Sequence, residues 1–448
     1  MKLTIIGGGG FRVPQIFQAV SDPAAHLRID ELCLFDVDPT RIDAIRRVIS
    51  GLAETMQHPV HVTSTVDLTE AVRGADFVFS AMRVGGIEGR TIDERVALDL
   101  GVLGQETIGP GGLAYALRTL PHARELARTV RDLAPQAWVI NFTNPAGLVT
   151  EAMREILGAR VTGICDTPIG LMRRATRVAG HRTEEVTFDY VGLNHLGWLR
   201  SLSVGGRDVL PQIIGDEHRL ARIEEARILG VDWVQSLGAL PNEYLFYYYR
   251  TREAIARIRA AEQTRGQYLA AKQGEFYSTD PGLESWSRTL HDREASYMGE
   301  SRDVADLHGR DTDDVENGGY QQVALDLMTA LTGGPGATMI LNVGNNSLTG
   351  ARLVPELPED AVVEVPCTVD TDGIHPQRVA AVEGDMLGLM VQVKASEQLV
   401  LRASREHSPE LAWRAFAGHP LVDSSVIARQ LLEEYRSRIP GVAQALGG

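Results

Sequence analysis

Residues 1–12 read MKLTIIGGGGFR, and residues 31–36 read ELCLFD. A short β-branched run stopped by four glycines, with Pro14 placed to open a helix in its first turn, reads as strand, turn and helix. A second strand over 31–36 then ends on a carboxylate, Asp36. Glycine backbone can approach a pyrophosphate resting on the following helix N-terminus, and a carboxylate there can hydrogen-bond a ribose diol. The same charge repels a 2′-phosphate, which favours NAD over NADP. The spacing is not a full GxGxxG, because Arg12 stands where the third glycine would. The plainer alternative is a tight turn without a ligand, with Asp36 and Asp38 marking a second turn. The candidates for cofactor contact are Gly7, Gly8, Gly9, Gly10, Phe11, Asp36 and Arg41.

Working outward, strands are expected at 75–80, 137–141 and 160–164, with helical spacing over 39–56, 87–100, 112–133 and 147–156. This alternation predicts an α/β fold with a Rossmann-like, doubly wound parallel sheet over roughly the first 165–195 residues. Beyond His195 the pattern changes. A strand pair with a GG turn is expected at 201–209, then about a hundred mostly helical, Arg-rich residues, strands at 339–343 and 361–366, and helices at 377–406 and 422–439. A mixed α/β C-terminal domain follows, so the chain divides into 1–195, binding nucleotide, and 196–448, serving substrate binding and oligomerisation. At 448 residues, more than one ordinary core is expected.

A net charge of −15 argues against nucleic acid and anionic membranes as partners, though inward-facing arginines can still build a local anion site. Cys33, Cys165 and Cys367 are too few and too scattered for a disulfide framework. The short apolar start does not form a signal peptide and no later stretch approaches a membrane span, so a cytoplasmic protein is expected.

Four stretches crowd the C-terminal ends of the expected strands, where open α/β sheets bind ligands. They are MRVGGIEGRTIDER (82–95), GQETIGPGG (104–112), NFTNPAGLVTE (141–151) and GICDTPIGL (163–171). Taken alone, Cys165 reads as a small buried hydrophobe and His195 as a hydrogen-bonded residue near a strand end. Taken together, a thiolate, an imidazole and substrate oxygens make an open shell for Mn²⁺, Fe²⁺, Co²⁺ or Ni²⁺. Composition leaves both readings open.

The ordered set GGGG, MRVGGIEGR, GQETIGPGG, NFTNPAG, CDTPIG and VGLNH (191–195) resembles glycoside hydrolase family 4, the NAD- and metal-dependent glycosidases. The likeness continues through PNEYLFYYY (241–249), TRG (264–266), LNVGNNS (341–347) and VVEVP (362–366), and so covers nearly the whole chain. It implies a lactate/malate dehydrogenase-like fold and cleavage through transient oxidation at sugar C3, deprotonation at C2, elimination of the aglycone and addition of water. It implies Cys165 and His195 as ligands of a divalent metal, Mn²⁺ first. Tyr244 maps onto the C2 base, with Tyr247 in reserve, and Asp166 onto the acid near the leaving group. Arg90, Arg265 and Asn144 fall at substrate-contacting positions, with Arg83 a further candidate; for any single arginine, an ordinary ion pair is the alternative. The branch most resembled is the 6-phospho-β-glucosidases, although the Cys-Asp pair by itself favours α-linked leaving groups. A dimer or tetramer is implied. The rivals are an α-acting or galacturonide-cleaving member of the family, a simple NAD-dependent 2-hydroxyacid dehydrogenase, and a non-catalytic NAD-binding regulator.

Overall fold

Why five short runs join into one sheet is visible in their burial: Lys2–Ile6, Glu31–Phe35, Phe77–Ser80, Trp138–Asn141 and Val161–Gly163 put nearly every apolar side chain out of solvent. The computed structural model describes residues 1–279, 281–297, 299–301, 319–346 and 350–448, so Ser347 of the 341–347 motif lies outside the described residues. The strands are β1 (Lys2–Ile6), β2 (Glu31–Phe35), β3 (His61–Thr65), β4 (Phe77–Ser80), β5 (Trp138–Asn141) and β6 (Val161–Gly163). After them come β7 (Val186–Leu193), β8 (Leu196–Val204), β9 (Arg207–Asp208), β10 (Leu240–Pro241), β11 (Ala337–Gly344), β12 (Val362–Asp370) and β13 (Gly373–Pro376).

Strands β3-β2-β1-β4-β5-β6 lie side by side and parallel. This is the doubly wound order, whose switch point falls between β1 and β4. The sheet then continues without a break through antiparallel β11, β12, β7, β8 and β10. Gly163 of β6 faces Asn342 of β11, and Glu364 of β12 faces Gly192 of β7. The 195/196 division lies in the turn of the β7–β8 hairpin, inside this sheet.

The helix Pro39–Ala53 shows how local sequence sets its own ends. Pro39 occupies the first turn, Asp38 accepts from the amides of Thr40 and Arg41, and Ile42, Ile45, Val48, Ile49 and Leu52 face the core. A second apolar cluster seats the C-terminal helices Gly384–Glu406, Pro409–Gly418 and Ser425–Arg438 on the long helix Gly109–Leu133, through Leu401, Phe416 and Leu431 against Leu113 and Leu117. Each such buried side chain contributes roughly 1.5–3 kcal/mol.

Three features differ from the sequence expectation. The edge strand β3, HVTST, is half-exposed and carries no apolar run to announce it. The helix expected over 377–406 begins only at Gly384, because Gly384 takes φ +61° and the carbonyls of Ala380 and Ala381 accept from the Arg200 guanidinium instead. The helix Thr167–Ala179, with Pro168 in its first turn and Gly180 as its left-handed cap, follows directly on the Cys-Asp pair. No helix among the described residues is long and apolar enough to cross a membrane.

Candidate active site

The four glycines turn tightly over the end of β2. Gly7 has φ +95°, and a Cβ there would lie 2.6 Å from the Ala81 carbonyl, so only glycine fits. The amides of Gly7 and Gly8 both donate to the Phe35 carbonyl, at 2.9 and 2.6 Å. Asp36 braces the loop: its Oδ2 accepts from Gly9 N at 3.0 Å and its Oδ1 from Asp38 N at 3.2 Å. The backbone amides of Phe11 and Arg12, at the start of the helix Val13–Val20, donate to no acceptor among the described residues. Free amide donors at a helix N-terminus, beside a carboxylate that keeps spare lone pairs, fit a pyrophosphate and a ribose. The Arg41 guanidinium carbon lies 3.9 Å from the centroid of the Tyr277 ring, whose hydroxyl donates to the Gly9 carbonyl at 2.8 Å. Trp286 Nε1 likewise donates to the Phe11 carbonyl, and Arg12 pairs with Glu294 at 2.6 Å. Residues far along the chain thus close one side of the nucleotide loop.

Across the sheet, the two-residue turn Asn194–His195 joins β7 to β8 and puts His195 at φ +62°. A Cβ on Gly192 would strike the Leu196 carbonyl, so the hairpin closes this tightly only with glycine there. Backbone strain of this kind persists where the surroundings hold it. His195 Nδ1 lies 3.1 Å from Thr107 Oγ1, and the Thr107 hydroxyl donates its proton to Gln105 Oε1 at 3.0 Å. The Thr107 oxygen therefore accepts from Nδ1–H, which leaves the Nε2 lone pair free for a metal. Burial pushes the imidazole down to about 3, so it is neutral, as a ligand must be.

Cys165 follows the C-terminal end of β6, buried, with Thr167 Oγ1 at 3.4 Å. Burial, then Glu364 and Asp166, push its thiol well above the usual range. A bound cation reverses that sign, because it favours the thiolate. Among the described residues no group of three or more His, Cys, Asp and Glu is placed to hold a metal. The donors on offer are one sulfur and one imidazole, a set that suits a transition-metal cation sharing its remaining positions with substrate oxygens.

Tyr244 stacks on the histidine. The two rings lie 3.7 Å apart, 3° from parallel. Its hydroxyl meets that of Tyr297 at 3.1 Å, and Tyr297 donates to Glu243 at 3.1 Å. Burial and Glu243 push the Tyr244 phenol up, so a neighbouring cation is what would bring it within reach as a base. Tyr247 is 6.0 Å from Tyr244, fully buried and edge-on to Phe246. Asp166 occupies the cap position of the helix Thr167–Ala179 without its side chain capping it, and borders a cavity shared with Glu243, Tyr297, Arg173 and Arg174.

Two of the candidate arginines, Arg83 and Arg90, gather around one carboxylate that the sequence reading did not single out. Glu106 pairs with Arg83 and, at 2.6 Å, with Arg90, which also reaches Glu94 at 2.9 Å. Burial opposes ionisation of Glu106, yet Arg83 and Arg90 hold it at about 2. Arg265 bonds Ser296 Oγ at 2.6 Å and the Arg293 carbonyl at 2.7 Å, while the neighbouring Gly266 amide donates to Glu94 at 2.7 Å. Arg293, also unforeseen, is pushed down to about 9 by burial and by Arg12, Arg265 and Arg90. Such crowding of guanidinium groups favours an anion among them. Asn144, in a cis Asn144–Pro145 pair, leaves its buried Oδ1 without a hydrogen-bond partner among the described residues. Glu106 lay within the quoted 104–112 loop, whereas Arg293 and Tyr297 belong to no quoted motif.

Two family models divide the chain between them: the Family 4 glycosyl hydrolase model matches residues 2–180, and its C-terminal domain model matches 190–422. The chain belongs to glycosyl hydrolase family 4. Among family 4 relatives, a probable 6-phospho-beta-glucosidase of Bacillus subtilis is 30% identical over 450 residues, 97% of this chain and 95% of the relative. A crystal structure of a 6-phospho-alpha-glucosidase from gut microorganisms, in complex with NAD and Mn²⁺, matches with TM-score 0.81 and 25% identity over 97% of both chains. The 6-phospho-beta-glucosidase from Thermotoga maritima, with manganese, NAD⁺ and glucose-6-phosphate, matches with TM-score 0.80 and 27% identity over 98% of both chains.

Proposed function

We propose that this family 4 glycosidase is a 6-phospho-β-glucosidase that uses NAD⁺ and a divalent metal, Mn²⁺ in the first instance. The observation that carries the reading is the face-to-face stack of Tyr244 on His195, which supports a base and a metal ligand acting together in one site. Names of similar proteins support it: phosphorylated glucosides recur in them, and the two solved relatives hold NAD with manganese. When bound, NAD⁺ and the cation supply a reversible hydride sink at C3 and a Lewis acid for the C2 and C3 oxygens.

The chain's own residues do the rest. Cys165 and His195 hold the cation, and Asn144 Oδ1 is placed to take a sugar hydroxyl. Tyr244 removes the C2 proton that a C3 ketone has made acidic. Asp166 delivers a proton to the departing aglycone oxygen, after which water adds at C1 and C2 is reprotonated. Arg90, Arg265 and Arg83 hold the 6-phosphate, and Asp36, Arg41, Phe11 and the loop from Gly7 to Gly10 hold the dinucleotide.

The division of labour between 1–195 and 196–448 is part of the same proposal, supported by the family models meeting between 180 and 190. A cytoplasmic site of action is supported by three cysteines that are all free and buried. The family resemblance supports a dimer or tetramer, which light scattering reads directly.

Aglycone release from p-nitrophenyl 6-phospho-β- and 6-phospho-α-glucosides, each with and without NAD⁺ and Mn²⁺, tests the reading. Cleavage of the β-anomer only when both cofactors are present is expected. Cleavage of the α-anomer alone would assign the α-specific reading that Asp166 and the α-acting structural relative favour. Equal cleavage of an unphosphorylated glucoside would remove the phosphate from the proposal.

A further inference from the structure

Asn242 is fully buried, and both ends of its amide are in use. Its Oδ1 accepts the backbone N–H of Tyr244 at 3.0 Å, a group that can only donate. That settles which way the amide points. The atom facing Thr167 is therefore Nδ2, which donates to the Thr167 hydroxyl oxygen at 2.8 Å. A hydroxyl has one proton to give. The Thr167 oxygen sits 3.4 Å from Cys165 Sγ, and a metal-bound sulfur carries no proton, so the bond between them runs from Thr167 to Cys165.

A second polar pair lies buried nearby. Glu364, fully buried in β12, accepts from the Tyr190 hydroxyl at 3.0 Å and from Asn342 Nδ2 at 3.0 Å. With its proton committed to Glu364, the Tyr190 oxygen behind Asn242 can only accept. Within the chain Asn242, Thr167, Cys165, each group thus has one available role.

We propose that Asn242 is a positioning residue that aims the Thr167 hydroxyl at the Cys165 sulfur and, through the same amide, holds Tyr244 against His195. Metal ligands are routinely oriented by hydrogen-bond partners one step removed, and losing such a partner weakens metal binding about 10–100-fold. Here the partner also fixes the base, so ligand and base are set by one side chain. The inference rests on Cys165 and His195 being the metal pair.

The test is Co²⁺ titration of the full chain without substrate or NAD⁺, following the near-ultraviolet thiolate-to-cobalt absorption. Thr167→Val keeps the side-chain shape and removes the hydroxyl, whereas Thr167→Ser keeps the hydroxyl. The expected result is Co²⁺ affinity about 10–100-fold weaker in T167V and unchanged in T167S. Wild-type affinity and absorption in T167V, or equal loss in T167S, would overturn the inference. Should T167V not fold, Asn242→Asp decides. Its carboxylate still accepts from Tyr244 N–H but takes the Thr167 proton away from the sulfur. Weaker Co²⁺ binding in N242D, despite the added negative charge, supports the inference, and wild-type or tighter binding overturns it. A wild-type protein that shows no thiolate absorption removes the metal reading itself, whereas absorption present in the wild type and unaltered in T167V removes only the role of Asn242.

Discussion

The imidazole of His195 and the phenol of Tyr244 lie parallel, 3.7 Å apart and 3° from coplanar in direction. One residue comes from a hairpin turn at φ +62° and the other from the short helical turn Glu243–Leu245. Nothing in their spacing along the chain requires the contact. It places a phenol that burial and Glu243 push upward against the ring of the histidine proposed as a metal ligand.

Removal of the Tyr244 hydroxyl therefore separates chemistry from binding. Y244F is expected to lower kcat about 10²–10⁴-fold, the range for loss of a general base. Metal and NAD⁺ affinities should stay near wild type, because the ring still stacks on His195. Steady-state kinetics alongside Co²⁺ and NAD⁺ titrations check this, and equal loss in all three would point to collapse of the site.

With Cys165 and His195 as the proposed protein ligands, a cation bound there is expected to be strippable. Dialysis against a chelator is expected to abolish aglycone release, and Mn²⁺ should restore it. C165S should need far more Mn²⁺ for half-maximal rate. A plain dehydrogenase acting on a 2-hydroxy acid would be indifferent to both treatments.

Asp36 braces the glycine loop and, in the proposed reading, also holds the cofactor. Losing one hydrogen bond to a charged group costs about 1.5–3 kcal/mol, which is about 10–150-fold in affinity. D36A is accordingly expected to weaken NAD⁺ binding by about that factor and to narrow the preference over NADP⁺. Fluorescence titration with the two reduced dinucleotides measures both effects.

His419 supplies a clean pH test away from the site. It is 2% exposed, its Nδ1 accepts the Leu421 amide at 3.1 Å, and burial pushes it down to about 3. Protonation would break that bond. Since the folded value lies below the unfolded one of about 6.5, the unfolded chain binds more protons between about pH 3 and 6.5. The contribution of neutral His419 is thus fully present above pH 6.5 and is lost as pH falls. The stability of the wild type relative to H419N, from urea unfolding, should rise by about 1.4 kcal/mol per pH unit through that window and level off above it. A difference independent of pH would contradict the assignment.

The parallel half of the fold was legible because most of its strands are buried apolar runs, with Lys2–Ile6 and Glu31–Phe35 stopped by glycines and a carboxylate. Strand β3 was not, since half-exposed HVTST lacks any such run. The β7–β8 pairing escaped notice because its turn is Asn-His, held by a strained histidine and not by the glycines that usually announce a hairpin. The site shows the same split. Cys165, His195 and Tyr244 lie in quoted motifs. By contrast, Arg293 and Tyr297 come from helical sequence with no local signature, and only folding brings them to Arg265 and Tyr244. Glu364 and Asn242 stood in the quoted VVEVP and PNEYLFYYY stretches, but a hydrogen-bond direction cannot be read from residue order.

The most direct measurement is to run the reaction in D₂O with NAD⁺ and Mn²⁺ and to examine C2 of the released sugar phosphate by NMR. If Tyr244 removes the C2 proton and C2 is reprotonated after elimination, the product carries one solvent deuterium at C2. Complete retention of the original hydrogen at C2, as in hydrolysis by a pair of carboxylates, would contradict the central claim.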